Sequence, residues 1–241
     1  MIIQRAEHPD WLSNAYLIVD RPGGHGVLVD GNGVTDPLLE RVEREGTQIT
    51  HVLLTHHHAD HVVGVGELAE RFGAPLLGHP DNEAATGELD GPVRSGELEI
   101  EAIPTPGHCA DHLALLFNGS DCLTADVLFK GTVGGTRAPG HTTFEDLRTS
   151  IMDRLMTLPA QTRLHPGHRG PTTVAAEWEH NPFVRVWRGL DEEGGDRCLV
   201  GEEDATLVVW APDYDGTNKA WVRFESGEDA VVGGSQVDRN V

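Results

Sequence analysis

The chain has 241 residues, a formal net charge of −21 and a hydrophobic fraction of 38%. That length suits one large domain, or one domain with a small appendage, and it allows a sizeable buried core. The acidic balance disfavours a nucleic-acid partner, because such a surface repels phosphate backbones. The three cysteines, Cys109, Cys122 and Cys198, show no C-x-x-C spacing. They indicate a reducing compartment rather than a disulfide scaffold.

We expect no secretory signal peptide at the first residues of the sequence. Residues 1–5 are not followed by the apolar stretch of a secretory signal peptide. No run approaches the ~18 consecutive apolar residues of a membrane span. We therefore expect a cytoplasmic protein without a membrane partner.

The first third of the chain alternates strand and helix signals. Short apolar runs predict strands at residues 15–19, 26–31, 51–54 and 75–79. Between them, residues 36–42 predict a helix that begins with Asp-Pro and ends at Gly46. The later part of residues 62–72 predicts a second helix. This order is typical of a layered α/β protein.

The middle of the chain begins with an acidic, glycine-rich segment, residues 81–96. We expect a loop region there, with or without a short helix, that could border the functional site. Apolar runs predict further strands at residues 98–103, 113–117, 121–125 and 162–165. An Asn118-Gly119 pair between two of these runs is a strong hairpin signal. Amphipathic spacing predicts helices at residues 143–156 and 173–179.

The composition shifts near Gly189. Residues 191–196 read as a linker, and the strand-like runs 205–210 and 219–224 follow. We predict a catalytic domain over residues 1–188 and a small β-rich appendage over residues 189–241. The appendage contains no candidate catalytic or metal-binding residue. We expect it to cover an edge of the core rather than to form a dimer contact.

The strongest chemical signal is the H-x-H-x-D-H pattern of His56, His58, Asp60 and His61. It lies between the predicted strand at residues 51–54 and the helix that follows, so a rigid scaffold presents it on a loop. Imidazole and carboxylate are ligands of zinc and similar transition metals. The pattern therefore predicts a metal site.

Three more candidate ligands follow predicted strands. His108 comes after Thr-Pro-Gly, Asp126 after Thr-Ala, and His168 after His-Pro-Gly. Five histidines and two aspartates are enough for two cations with one bridging carboxylate. Nitrogen and oxygen ligands without thiolate indicate a catalytic rather than a structural zinc site.

Together these motifs resemble the metallo-β-lactamase superfamily over roughly residues 1–187. The resemblance implies an αββα sandwich, an α/β fold, with the β-rich appendage added at the C-terminus. It implies that His56, His58 and His108 hold one metal ion. It further implies that Asp60, His61 and His168 hold a second ion and that Asp126 bridges the two. Zinc is the expected metal, and iron or manganese would suit the same ligands.

Within the superfamily the chain is most similar to hydroxyacylglutathione hydrolases, the glyoxalase II group. Residues 166–173, Glu177 and residues 181–183 resemble the closing motif of that group. Two features depart from it. The β-rich appendage stands where that group has a helical glutathione-binding domain. The Gly-Arg pair that the resemblance leads us to expect after the bridging aspartate is replaced by the longer Gly-Gly-Thr-Arg segment of residues 134–137. Residues 108–113 and 142–147 instead resemble the branch that includes RNA endonucleases and polyketide thioesterases.

The resemblance predicts a hydrolase in which a metal-bound hydroxide attacks the carbonyl carbon of a small ester, a thioester above all. Asp60 would orient the hydroxide as well as bind metal. Asp30 is expected to orient a ligand histidine, and His112 to hydrogen-bond a ligand or the substrate. The substrate is a small molecule, and the oligomeric state stays open.

Other functions remain possible for the same ligands. They are an RNA endonuclease, a lactonase or β-lactamase, a mononuclear iron enzyme related to persulfide dioxygenases, and a non-enzymatic protein with a vestigial site. The net charge of −21 disfavours the endonuclease. A complete ligand set disfavours the last two.

Overall fold

A computed structural model describes residues 1–240. The chain divides into two compact units. Unit 1 comprises residues 1–104, 111–125 and 167–169, and unit 2 comprises residues 105–110, 126–166 and those from 170 onward. The predicted domain boundary between residues 188 and 189 stays a prediction. Among residues 1–240, no helix has the length and apolar character that a membrane crossing requires.

Unit 1 is built on two sheets. Its strands are β1 (Ile2–Glu7), β2 (Asn14–Val19), β3 (His25–Val29), β4 (Gly31–Asn32), β5 (Gln48–Leu53), β6 (Leu76–Gly78), β7 (Gly87–Glu88), β8 (Val93–Ser95), β9 (Leu98–Pro104), β10 (Leu113–Phe117) and β11 (Asp121–Ala125). The first sheet has the order β1-β2-β3-β5-β6-β7, with parallel pairing from β3 onward. In the second sheet β8, β9, β10 and β11 pair antiparallel in that order.

The helices of unit 1 are α1 (Asp36–Glu45), α2 (Ala59–Val62) and α3 (Val65–Phe72). α1 has proline in its first turn and ends at Gly46, whose φ of 67° is left-handed. Glycine adopts that conformation without steric cost, which is why it terminates helices so often. The predicted start and end of α1 are therefore confirmed.

Strand β2 shows how unit 1 is layered. Leu17 packs in one core cluster with residues of α1, while Ile18 packs in a second cluster with Leu115 of β10. Because successive side chains of a strand point to opposite faces, the strand is buried on both sides. Its continuous apolar sequence follows from that position, and each fully buried aliphatic side chain contributes about 1.5–3 kcal/mol to stability.

Unit 2 contains short hairpins and helices. They are β12 (Leu128–Phe129), β13 (Thr132–Val133), α4 (Phe144–Thr149), β14 (Arg163–Pro166), β15 (Thr172–Thr173), α5 (Val174–His180) and α6 (Pro182–Trp187). The predicted helix at residues 143–156 is present, but its second half, Ser150–Leu155, is a π-helix. Thr143 and Asp146 form a reciprocal capping box at its start.

The C-terminal part of unit 2 is a β-sheet. Its strands are β16 (Asp196–Val200), β17 (Glu203–Pro212), β18 (Asn218–Phe224), β19 (Asp229–Gly233) and β20 (Val237–Asp238), in the order β19-β18-β17-β16-β20. Trp221 of β18 packs against Phe144 at a ring-centroid distance of 4.8 Å and against Trp187 at 6.3 Å. An aromatic cluster thus fastens this sheet to α4 and α6.

The expectation of a loop over residues 81–96 is corrected, because β7 and β8 lie within it. Each has only two or three residues, too few for a periodic signal. Helix α6 was not predicted from the sequence. Its signal is Asn181-Pro182: the Oδ1 of Asn181 accepts a hydrogen bond from the backbone N–H of Phe183 at 3.0 Å.

Candidate metal-binding site

The H-x-H-x-D-H segment lies in unit 1, immediately after β5. His58 is the residue before α2, in an extended conformation with ψ of 144°. The backbone N–H of His61 donates to the carbonyl oxygen of His58 at 2.9 Å, which closes the first turn of this short helix. The turn places Asp60 and His61 close to the histidines that precede them.

The imidazole rings of unit 1 form a compact group. The ring centroid of His56 lies 4.7 Å from that of His58 and 4.4 Å from that of His61. His168 joins the group, with its ring centroid 5.5 Å from that of His61. His56, His61 and His168 are buried. Buried polar rings at this density are costly unless they have polar partners or a bound ion.

Asp60 supplies a carboxylate to this group. Its Oδ2 lies 3.6 Å from the Nε2 of His61 and 3.5 Å from the Nε2 of His168. One donor atom from each of the three residues falls within 4.8 Å of the others. These are the donor types and the spacing that a zinc-like ion needs, since its bonds to nitrogen and oxygen are about 2.0–2.2 Å long.

Asp30, buried at the end of β3, anchors two of these rings. Its Oδ2 lies 3.0 Å from the Nδ1 of His61 and accepts a hydrogen bond from the Thr55 hydroxyl at 2.7 Å. The Thr55 hydroxyl lies 3.0 Å from the Nδ1 of His56. Because its own proton goes to Asp30, this hydroxyl accepts the Nδ1–H of His56. Asp30 is held in turn by the Thr55 backbone N–H at 2.9 Å.

His168 is held by the loop between β1 and β2. Its Nδ1 lies 3.1 Å from the carbonyl oxygen of Trp11. Leu12 follows with a left-handed φ of 61°, a conformation that is rare for a branched residue. Ser13 forms a β-bridge with His168. The loop therefore fixes the orientation of the ring through backbone atoms.

The other two predicted ligands, His108 and Asp126, lie together in unit 2. The Nε2 of His108 is 3.7 Å from the Oδ2 of Asp126, and both residues are buried. The Nδ1 of His108 is 2.9 Å from the carbonyl oxygen of Gly135. The neighbouring Gly134 is required, because a Cβ there would lie 2.0 Å from the carbonyl oxygen of Asp126.

The tautomers of these rings fit metal binding. In His61, His108 and His168 the Nδ1 faces a carboxylate or carbonyl oxygen, so it donates a proton to that acceptor. The lone pair then resides on Nε2, the nitrogen that would face a metal. This arrangement is typical of metal-ligating histidines. The donor set, imidazole and carboxylate without thiolate, matches a divalent transition metal.

Two further polar residues of unit 1 adjoin the group. His112 is fully buried, and its ring centroid lies 5.2 Å from that of His56. His57 points elsewhere, since its Nδ1 lies 2.6 Å from the Oδ1 of the buried Asp111. No role was predicted for Asp111 from the sequence. Its only signal was an acidic residue in the short segment before a buried strand.

The chain is similar to proteins of known sequence and structure. A family model described as the metallo-beta-lactamase superfamily matches residues 8–93. A curated relative named hydroxyacylglutathione hydrolase, from Rhizobium meliloti (strain 1021), is 36% identical, with 79% of this chain and 87% of the relative covered. Two further relatives of that name are matched over 61% of their own length, so the chain spans about three fifths of them.

Solved structures agree with this likeness. The crystal structure of ETHE1 from Myxococcus xanthus is 32% identical, with a TM-score of 0.71, and covers 77% of this chain and 85% of that chain. The crystal structure of TTHA1623 in a di-iron-bound form is 30% identical, with a TM-score of 0.64, and covers 75% and 99%. The fold class predicted from the sequence, an αββα sandwich with a β-rich C-terminal appendage, is confirmed. The chain therefore belongs to the metallo-β-lactamase superfamily.

Proposed function

We propose that the chain is a metal-dependent hydrolase that cleaves a small carbonyl ester, and specifically a thioester. The observation that supports this function most is the cluster of Asp60, His61 and His168 in unit 1. Its two rings are anchored through Nδ1 by oxygen atoms of Asp30 and Trp11, and its donor atoms converge within 4.8 Å. Anchored, convergent donors are what a catalytic metal site requires.

The proposed ligands follow the pattern of the superfamily. One ion would be held by His56, His58 and His108, a second by Asp60, His61 and His168, and Asp126 would bridge them. We propose zinc as the metal. Iron is the main alternative, because the TTHA1623 structure, 30% identical to this chain, is described as a di-iron-bound form.

Divalent ions in such a site would lower the pKa of bound water toward about 7 and would polarise a carbonyl oxygen. The side chains and backbone of the protein would orient the attacking water and the metal ligands. The carboxylate of Asp60 accepts a hydrogen bond from the attacking water and so orients it toward the carbonyl carbon. Asp30, Thr55 and the Trp11 carbonyl oxygen keep the rings in place. Because His56 and His61 are buried, bulk water does not compete for the hydrogen bonds that hold their rings.

The relatives support a thioester substrate. The Rhizobium meliloti relative carries the name hydroxyacylglutathione hydrolase at 36% identity. In this chain the C-terminal part is the β-sheet of residues 196–238, whereas the resemblance implies a helical glutathione-binding domain at that place in the glyoxalase II group. Because that domain has no counterpart here, we propose the thioester bond as the target and leave the thiol carrier open. The second candidate is a mononuclear iron enzyme related to persulfide dioxygenases, and it rests on the likeness to the ETHE1 structure from Myxococcus xanthus.

The test uses two variants of proposed ligands, Asp60→Ala and His58→Ala, with the exposed His180→Ala as a matched control. Thioester hydrolysis and metal content are measured on the same samples. Both ligand variants should lose nearly all turnover while thermal unfolding stays cooperative, and the control should resemble the wild type. Turnover close to that of the wild type in either ligand variant would overturn the assignment.

A further inference from the structure

The C-terminal sheet of unit 2 has no part in the proposed mechanism, yet it contacts the segment that anchors His108. That segment comprises residues 134–137, which stand where the resemblance leads us to expect a Gly-Arg pair. Its Thr136 is buried, with 3% of the residue exposed. The partner of Thr136 is Val231 in β19, the strand at one end of the sheet. All of these residues belong to unit 2.

Two hydrogen bonds join Thr136 to Val231. The backbone N–H of Thr136 donates to the carbonyl oxygen of Val231 at 2.9 Å, and the backbone N–H of Val231 donates to the hydroxyl oxygen of Thr136 at 2.9 Å. Val231 is fully buried, so water does not satisfy its backbone groups and Thr136 does. Thr136 therefore covers the edge of the sheet, and the sheet fixes the position of Thr136.

The next residue of the segment adds a second attachment to the same sheet. The guanidinium carbon of Arg137 lies 4.7 Å from the ring centroid of Phe224 in β18, and its Nη2 lies 3.5 Å from the Oε1 of Glu228. A guanidinium over an aromatic face is attracted by the ring, and the carboxylate adds to that attraction. The sheet therefore holds the segment by its backbone at Thr136 and by a side chain at Arg137.

The peptide group between Gly135 and Thr136 transmits this position to His108. Its N–H is the group that donates to Val231, and its carbonyl oxygen lies 2.9 Å from the Nδ1 of His108. A trans peptide group is planar, and its N–H and C=O point in opposite directions, so a partner that fixes one also fixes the other. Hydrogen bonds at both ends of one amide also polarise each other. The sheet thereby determines where the acceptor for His108 lies.

We propose that the C-terminal sheet positions His108 through Thr136, and that Thr136 is a positioning residue of the metal site. Because Nδ1 of His108 donates to the Gly135 carbonyl oxygen, its Nε2 keeps the lone pair and a fixed direction. The proposal deepens the proposed function and rests on it only in taking His108 as a metal ligand. It assigns the C-terminal sheet a role in metal binding.

Three variants of the full chain test this role. Thr136→Val removes the hydroxyl but keeps the size of the side chain, so the Val231 N–H loses its acceptor and the peptide group that faces His108 is no longer fixed. Thr136→Ser keeps the hydroxyl and should preserve the contact. Val222→Ala is the control for stability. Val222 is fully buried in the core cluster of the same sheet, and its truncation destabilises the sheet but leaves the groups that bind Thr136 unchanged.

The measurement is the affinity of the metal-free proteins for zinc, obtained by competition with a chelating dye, and it does not depend on turnover. Loss of an outer partner of a ligand histidine lowers metal affinity by about 10–100-fold. We expect the lower end, about tenfold, for Thr136→Val, because its backbone N–H is still able to donate to Val231. The affinities of Thr136→Ser and Val222→Ala should stay within about twofold of that of the wild type. Urea unfolding of the same samples should show the lower stability of Val222→Ala.

An unchanged zinc affinity in Thr136→Val, or an equal loss in Thr136→Ser, would overturn the proposal. An equal loss in Val222→Ala would also overturn it, since zinc affinity would then follow the stability of the sheet rather than the contact with Thr136. Thioester hydrolysis on the same samples tests the proposed function separately. If the wild type binds zinc but hydrolyses no thioester, the hydrolase function fails, and the zinc titrations still decide on the role of Thr136.

Discussion

Asp30 Oδ2 lies 3.0 Å from His61 Nδ1, and through the Thr55 hydroxyl the same oxygen also holds His56. One buried carboxylate therefore sets the tautomer of two proposed metal ligands. Asp30 has a left-handed φ of 58°, a conformation that costs of order 1–3 kcal/mol for a non-glycine residue. The surrounding hydrogen bonds offset this cost and place the carboxylate where both rings can reach it.

Replacing Asp30 by Asn should weaken metal binding without unfolding the protein. The amide keeps one acceptor but turns a donor toward one of its partners, so one ring loses its anchor. Loss of such an outer partner lowers metal affinity by about 10–100-fold. Competition with a chelating dye measures the affinity, and the exposed Asp90→Asn serves as the control. An affinity within twofold of that of the wild type would contradict the anchoring role.

Gly134→Ala should destabilise the protein more than Gly135→Ala. A Cβ at position 134 would lie 2.0 Å from the Asp126 carbonyl oxygen, whereas at position 135 its nearest contact is an ordinary 3.5 Å. The first substitution forces a backbone shift, which costs roughly 1–3 kcal/mol. Urea unfolding of both variants measures the difference. Equal urea midpoints of the two variants would contradict this prediction, because they would show that the backbone around Asp126 can shift at little cost in stability.

Asp20 should stabilise unit 1 in a pH-dependent way. Its carboxylate accepts hydrogen bonds from the backbone N–H groups of Arg21, His25 and Glu97, at 2.7, 2.9 and 3.1 Å. Burial opposes the charge, but these hydrogen bonds prevail and hold the pKa of Asp20 below its ordinary 3.8. The unfolded chain therefore takes up the proton first as the pH falls.

The stabilisation by Asp20 is thus fully present above pH 3.8 and is lost as the pH falls through the lower folded-state pKa. Asp20→Asn should cost about 1–3 kcal/mol near pH 6, and the cost should shrink progressively as the pH falls below 3.8. Urea unfolding of both proteins across this range gives the difference. If the loss of unfolding free energy in Asp20→Asn does not change with pH, the shape of the side chain rather than its charge accounts for the stabilisation.

Trp221→Ala should loosen the C-terminal sheet. Trp221 is 4% exposed and packs against Phe144 and Trp187. Truncation of a buried aromatic side chain costs about 3–5 kcal/mol. Trp11, 45% exposed, provides the matched control, and its replacement should cost far less. Thermal unfolding distinguishes the two, and comparable melting temperatures would contradict the packing role of Trp221.

Much of the fold follows from the sequence because its signals are local. Gly46 ends α1, and the Asn118-Gly119 turn joins β10 to β11, as predicted. The strands β7 and β8 were not predicted, because each has only two or three residues and so leaves no periodic signal in the sequence. The π-helical half of the helix after Thr143 has no sequence period of its own.

The sequence predicts the donor residues of the candidate site but not the contacts that orient them. The H-x-H-x-D-H spacing predicts Asp60 and His61 as ligands, but it does not predict that the Trp11 carbonyl oxygen holds His168 across 157 positions of sequence. A backbone acceptor leaves no trace in residue identity. The pairing of His57 with Asp111 was missed for a related reason, since the two residues are 54 positions apart and neither occupies a ligand position of a motif.

The most direct test of the account is a hydrolysis panel on the purified protein, with and without a chelator and with metal content determined on the same sample. The panel contains a glutathione thioester, an acyl-CoA, a homoserine lactone, a cephalosporin and a single-stranded RNA. The proposed function leads us to expect chelator-sensitive turnover of a thioester with two divalent ions per chain. Turnover of RNA alone, or a single bound iron with no hydrolysis of any substrate, would contradict it.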